Sequence, residues 1–307
     1  MKIRLIAFVT LAVLVIGSFI DLEGLKAEEI SVLLSQDISI YREALEGINK
    51  IKPGEITIYH LKGDPNEAKR VISQVRRHPG DLVISIGLLA SQVARENIRS
   101  TPLLFCMVYY PERYSFFSQN MTGIRLEFSP TENFSEIKRL FPGVRKIGVL
   151  YDPKKTGKII AESREAARNM GLSLTEMRLG SEKDLPARLN ALQGNVDLLW
   201  LIPDSTVVSP QSIDKILLTS FKFKIPVMTF SDEFVEMGAL ASLTPDFEAT
   251  GQEIGRLAEK IIQGELPSHF PIRSASKKRL SVNLKMARKM GIEITSEAIQ
   301  KADKVYE

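Results

Sequence analysis

Residues 197–229 read DLLWLIPDSTVVSPQSIDKILLTSFKFKIPVMT. Leu198 to Ile202 form an unbroken apolar run with no polar face at period two, the pattern of a strand covered on both sides in a parallel sheet. Pro203 stops the run, and Asp204, Ser205 and Thr206 make a short polar loop. Ser209-Pro210 predicts an N-cap and a first helical position, with Ile213, Ile216, Leu217 and Phe221 on one helical face. Ile225-Pro226 ends that helix, and Val227, Met228 and Phe230 begin a second apolar strand. The unit is strand, loop, helix, strand, with its polar loop at the carboxyl end of the first strand. Open α/β sheets hold ligands at that position.

The same unit occurs earlier, in residues 81–108, DLVISIGLLASQVARENIRSTPLLFCMV. Flanking segments repeat too. EISVLL (29–34) matches KIGVLY (146–151), and TGIRLEFSP (122–130) matches GALASLTP (238–245). Each of the latter two precedes a capped helix with an Arg-Leu pair, Arg139-Leu140 and Arg256-Leu257. Two tandem copies of one α/β module are too few for a solenoid and predict two similar, doubly wound lobes with parallel sheets.

Composition agrees with that reading. The 307 residues suffice for two lobes with cores of their own, and 44% hydrophobic with 25% charged residues is ordinary for a globular protein. The net charge of +4 is spread along the chain, and the densest basic patch, Lys277-Lys278-Arg279, has no interleaved aromatics. Nucleic acid is therefore not an expected partner. Lys2 and Arg4 precede an apolar run from Leu5 to Ile20, and Leu25-Lys26-Ala27 stands before Glu28-Glu29. Residues 1–27 thus read as a secretory signal peptide; the run is short for a membrane anchor. No cysteine lies near its end, which argues against a lipoprotein, and Cys106, alone in the chain, reads as a buried hydrophobe in a strand.

Catalytic signatures are missing from the sequence. Lys155-Thr156-Gly157-Lys158 lacks the leading glycine of a phosphate loop, and His60, His78 and His269 are isolated. There is no GxSxG elbow. Asp232 and Glu233 could do acid/base work, but adjacent residues at a strand end point to opposite sides. No enzyme activity and no cofactor are expected. What remains is a set of polar loops at strand ends: Ser35-Gln36-Asp37, 87–91, Tyr109-Tyr110, Tyr151-Asp152, Asp204-Ser205-Thr206 and Ser231-Asp232-Glu233. Lobes facing each other through these ends would line one cleft able to hold a small molecule. By strand alternation, at most one of Tyr109 and Tyr110 reaches it.

From Glu29 onward the chain resembles the ABC-transporter substrate-binding proteins of the tryptophan/tyrosine-binding type, which have the type I periplasmic-binding fold. The resemblance is carried by KIGVLYDP (146–153), DLLWLIPDSTVVS (197–209), IPVMTFSDEFVEMGALASLTPDF (225–247), TGQEIGRLAEKIIQGELP (250–267) and LSVNLKMARKMGIEI (280–294). Where members show a Gly-Thr or Gly-Ser pair this chain has Gly87-Leu88, and where they show Val-x-Asp-Pro it has Val108-Tyr109-Tyr110-Pro111. The resemblance implies a small ligand, an amino acid or a related molecule, and these departures point to a less polar or aromatic-contacting one. The resemblance implies a monomeric periplasmic solute-binding protein that serves the membrane permease of an ABC importer; a sensing module feeding a membrane receptor kinase is the alternative. It implies a three-segment hinge, with chain crossings near Phe128, Gly238 and Ser274. Lobe one is then 28–128 with 238–274, and lobe two 129–237 with 275–307. The expected ligand contacts are Gln36, Ser91 and Tyr109 from lobe one, and Tyr151, Asp204, Ser205 and Asp232 from lobe two.

Overall fold

The structure, a computed structural model, describes residues 28–116 and 118–307. The expected signal peptide lies outside the described residues. The first half alternates strands and helices: β1 (Glu29–Leu34), α1 (Ser39–Ile51), β2 (Glu55–His60), α2 (Pro65–Val75), β3 (Leu82–Ile86), α3 (Leu88–Asn97), β4 (Leu103–Val108), β5 (Met121–Arg125) and α4 (Pro130–Leu140). The second half follows with β6 (Lys146–Tyr151), α5 (Pro153–Asn169), β7 (Ser173–Arg178), α6 (Leu185–Asn190), β8 (Leu198–Trp200), α7 (Ile213–Phe223), β9 (Val227–Thr229), α8 (Asp232–Met237), β10 (Ala241–Pro245) and α9 (Phe247–Ile262). The chain closes with β11 (Arg273–Ser274), β12 (Lys278–Asn283), α10 (Leu284–Met290), α11 (Ser296–Gln300) and β13 (Lys304–Tyr306).

Two sheets result. The first has the order β11-β5-β4-β3-β1-β2 and the second β13-β12-β10-β9-β8-β6-β7. Every pairing is parallel except β10 with β12, which is antiparallel. The two orders superpose, with β2, β1, β3, β4 and β5 in the places of β7, β6, β8, β9 and β10. β3 and β4 are buried at every position, as continuous apolar runs require when helices cover both faces. Four apolar clusters, one on each face of each sheet, form the cores.

The lobes exchange one helix each. α4 follows β5 of the first sheet, yet Phe134, Ile137 and Leu140 pack with Ile147 and Trp200 under the second. α9 follows β10 of the second sheet and returns Ile254, Ala258 and Ile261 to Ile30 and Ala44 under the first. α9 lies backbone to backbone on α1. A Cβ on Gly251 would stand 1.9 Å from the Ala44 carbonyl oxygen, and one on Gly47 would stand 2.0 Å from that of Glu248. The chain passes between sheets after β5, after β10, and between β11 and β12. Because β10 pairs with β9 and β12, the crossing expected near Gly238 falls after Pro245 instead, and residues 238–245 belong with lobe two.

Four element boundaries are set by local contacts, and the first and third depart from expectation. α7 starts at Ile213, because the Ser212 hydroxyl turns back to the Val207 carbonyl (2.7 Å) and holds residues 209–212 in a turn; Phe221 is exposed and Ser220 takes the inward position. α9 is capped by Asp246, whose carboxylate accepts from the Ala249 N–H at 3.0 Å, while Thr250 is buried inside the helix. Residues 232–237 form the short helix α8, where the sequence predicts only a loop. Near the C-terminus α11 stops at Gln300, and Val305 pairs with Val282 as an edge strand.

Candidate functional site

The carboxyl ends of the two sheets face each other across a cleft of about 500 Å³. β4 reaches it through an irregularity: its register against β5 shifts between Phe105 and Val108, and Met107 has φ +58°. A bulge of this kind re-aims the side chains beyond it. Tyr110 follows in the left-handed region, at φ +50°, so alternation no longer applies and both Tyr109 and Tyr110 line the cleft. The expectation that only one would reach it fails for this reason. From the first lobe they are joined by Tyr41, Leu88, Arg113 and Tyr114, and the second lobe brings Pro203, Asp204, Ser205, Val208, Phe230 and Phe234.

Tyr109 and Phe230 follow the equivalent strands β4 and β9 and meet across the lobes, edge to face, with centroids 5.7 Å apart. Phe230 packs in turn on Phe234 at 5.5 Å. Behind this pair lies a pocket of about 20 Å³, walled by Tyr109, Tyr110, Phe128, Trp200 and Phe230 among others. Glu127 is on its wall and is 8% exposed. Its Oε2 accepts the Tyr110 N–H at 3.0 Å, whereas Oε1 accepts no hydrogen bond from the protein. Arg125 Nη1 lies 3.6 Å from Oε1, beyond hydrogen-bonding distance, and the same guanidinium is engaged in a close ion pair with Glu112. Burial pushes the Glu127 carboxyl up to about 7, against the opposing pull of the Tyr110 N–H and of Arg125. Burial, with the Glu127 charge, also raises the phenols of Tyr109 and Tyr110 above their ordinary value.

The seven expected contact residues divide. Tyr109, Asp204 and Ser205 line the cleft. Asp204, however, is 1% exposed and serves the fold: Oδ2 accepts the Asp152 N–H (2.8 Å) and the Thr156 hydroxyl (2.5 Å), and Oδ1 accepts the Thr206 N–H (2.9 Å). Asp152 reciprocates, accepting the Lys154 N–H and the Thr206 hydroxyl. Ser205 is exposed and accepts from Lys155 Nζ at 2.9 Å. The other four do not line the cleft. Ser91 is buried in α3 and donates to the Gly87 carbonyl, with the Ser85 hydroxyl 3.0 Å away. Tyr151 is a core side chain whose hydroxyl donates to Glu176 at 2.8 Å. Asp232 accepts from the Ser242 hydroxyl on β10 (2.5 Å), and the exposed Gln36 lies over Gly63.

Sequence reasoning missed the aromatic lining and Glu127. Tyr41 sits in α1, away from any strand-end loop, and its ring closes over Gly87, where a Cβ would meet the phenol oxygen at 2.6 Å. Glu127 lies two residues beyond the end of β5, and its environment exists only once β4 and α4 converge on it. The one legible signal was a lone acid inside the otherwise apolar run 126–128. Among the described residues no group of three or more His, Cys, Asp or Glu side chains is placed to hold a metal ion. None of their helices is long and apolar enough to cross a membrane.

A family model described as "ABC transporter substrate binding protein" matches residues 38–306. A tyrosine-binding protein of Clostridioides difficile is 22% identical over 237 residues, which is 75% of this chain and 68% of the relative. The ligand-free, open structure of a substrate-binding protein with adhesive properties from the same species superposes with a TM-score of 0.78. It is 21% identical and covers 91% of this chain and 99% of its own. A Streptococcus structure solved in complex with L-Trp gives a TM-score of 0.66 at 22% identity, covering 90% and 99% of the two chains.

Proposed function

The chain belongs to the family of ABC transporter substrate binding proteins, and from that premise we propose that it captures a small, aromatic or apolar solute in the interlobe cleft and delivers it to a membrane permease. The family consists of solute-binding proteins, not enzymes. Substrate-binding proteins of ABC importers work on the outer side of the cytoplasmic membrane, and the positively charged, apolar start of the sequence is in keeping with export. The observation that carries the reading is the lining of the 500 Å³ cleft: Tyr41, Tyr109, Tyr114, Phe230 and Phe234, drawn from both lobes. Rings on both walls would clasp an apolar or aromatic body, and contacts made to both lobes together favour closure. The relatives include a tyrosine-binding protein and one solved with L-Trp, so aromatic solutes are the class to try first. Micromolar capture needs about −8 kcal/mol, within reach of ring stacking plus one or two charge-assisted hydrogen bonds. Native mass spectrometry of freshly purified protein tests this. A small molecule retained unchanged, and lost on Phe230→Ala, supports it; chemical turnover of that molecule, or retention untouched by changes in the cleft, overturns it.

A further inference from the structure

We propose that the cleft selects an organic anion without an ammonium group, its carboxylate held by Arg113 of the first lobe and Ser205 of the second. The inference rests on the reading of the cleft as a solute site and adds the charge of what enters it. Arg113 and Asp204 are the charged residues of the cleft lining, and they are not equally available. Asp204 is 1% exposed and already accepts three hydrogen bonds, from the Asp152 and Thr206 N–H groups and the Thr156 hydroxyl. Glu127, the other buried acid nearby, stands behind the Tyr109–Phe230 contact and outside the lining of the cleft. Arg113 is exposed, and among the described residues no carboxylate lies within ion-pairing distance of it. Its chain neighbour Glu112 is committed to Arg125. The Arg113 guanidinium lies 5.6 Å from the Tyr114 ring centroid, and its charge acts on the Tyr110 phenol, both of them cleft residues.

The rest of the polar lining donates. Ser205 Oγ accepts Lys155 Nζ at 2.9 Å, which leaves the hydroxyl hydrogen for an acceptor in the cleft and sets a positive charge behind it. Burial keeps the phenols of Tyr109 and Tyr110 protonated, and neither hydroxyl is bonded within the protein. Hydroxyl donors without acceptors, beside an unpaired guanidinium, fit a carboxylate, which Arg can grip through two parallel hydrogen bonds. An ammonium group in the same cleft would meet donors and no free carboxylate, and burying it unpaired is costly. Arg113 and Ser205 belong to different lobes, so one anion touching both favours closure.

The probes are 3-phenylpropanoate, its neutral amide, 3-phenylpropylamine, and L-phenylalanine, which differs from the first by an α-ammonium group alone. Each is titrated by calorimetry near neutral pH. We expect the acid to bind at least about tenfold more tightly than any of the others. Added salt should weaken the acid and not the amide. Arg113→Gln should bring the acid down to the level of the amide, and Arg113→Lys should restore only part of the difference, because a point charge lacks the guanidinium fork. Ser205→Ala should narrow the same difference from the other lobe. The ranking of the four probes and its salt dependence are read in the unaltered protein and stand even if a variant folds poorly. Amine or L-phenylalanine binding as tightly as the acid, no binding of the acid, or an acid preference that survives Arg113→Gln overturns the anion site. A retained solute with no anionic group would also overturn it while leaving the cleft reading intact. Failure of all four probes together with no retained solute would sink both.

Discussion

Two buried acids at the cleft, Asp204 and Glu127, show how environment divides residues of one chemical kind. Asp204 has its oxygens filled by protein donors from two segments, and it ties the start of α5 to the loop after β8. Asp204→Ala leaves two N–H groups and a hydroxyl without their acceptor and should cost about 2–4 kcal/mol of stability in the ligand-free protein, read as a lower urea midpoint. An unchanged midpoint would show that the loop re-pairs with solvent. Glu127 has the opposite character, with one oxygen unfilled and its carboxyl held near 7, above the value of about 4.3 expected in the unfolded chain. The folded state therefore binds more protons than the unfolded state between those values. The stability this contributes is full below about pH 4 and is lost as pH rises through 7. Glu127→Gln should accordingly match the unaltered protein near pH 4.5 and exceed it by about 1–3 kcal/mol at pH 8, as urea unfolding at the two values would reveal. A gain of equal size at both would exclude titration as its cause. Tyr109 and Ser205 were legible as cleft residues because strand-end loops are where such sheets bind. Tyr151 and Asp232 lie away from the cleft because their partners, Glu176 and Ser242, stand on other strands that sequence spacing does not bring together, and Ser91 because its hydroxyl turns back to the Gly87 carbonyl.

Among elements, the tightest junction is that of α1 with α9. Gly251→Ala drives a methyl group to 1.9 Å from the Ala44 carbonyl, where backbone, not a flexible side chain, must yield. We expect a loss of about 2 kcal/mol or more, against the small gain that Gly to Ala gives in an exposed helix, measured as a fall in melting temperature. Gly264→Ala controls for composition alone; its Cβ would have open space, with only the strain of φ +103° to bear. This junction also explains what was readable at the level of elements. The apolar runs and their repetition foretold strands, helices and the duplicated order, because those follow from local periodicity. The register of α7 and the cap of α9 were not foretold, since several polar side chains competed for each role: Ser209 with Ser212 at one end, Thr250 with Asp246 at the other. β13 was hidden because a three-residue strand needs the exposed edge of β12 to exist at all.

At the scale of the molecule, the exchange of α4 and α9 makes each lobe dependent on a helix that the other lobe's last parallel strand delivers. The crossing segments are bound by ion pairs, Lys278 to Glu132, Lys277 to Asp246, and Arg279 to both Glu43 and Asp246. Arg279 on β12 thus links the second sheet to α1 of the first lobe at 3.0 Å. These side chains are a third or more exposed except Asp246, so each pair contributes less than about 1 kcal/mol and allows the crossings to bend. Closure would pivot there, and Tyr109 and Phe230, one from each lobe, meet in the cleft that it would close. A solute favours the closed form only through contacts it makes to both lobes at once. Small-angle scattering on saturation with a retained solute should therefore show a smaller radius of gyration. Arg279→Ala should preserve that compaction with affinity changed less than about fivefold, since the pair it removes lies beside the pivot in either state. Phe230→Ala should weaken binding by about tenfold or more, because it strips one ring from the clasp, and compaction should then appear only at correspondingly higher solute concentration. A radius of gyration that stays fixed at saturation, with binding intact, would mean that the lobes hold the solute without moving, and the pivot at the three crossings would have to be given up.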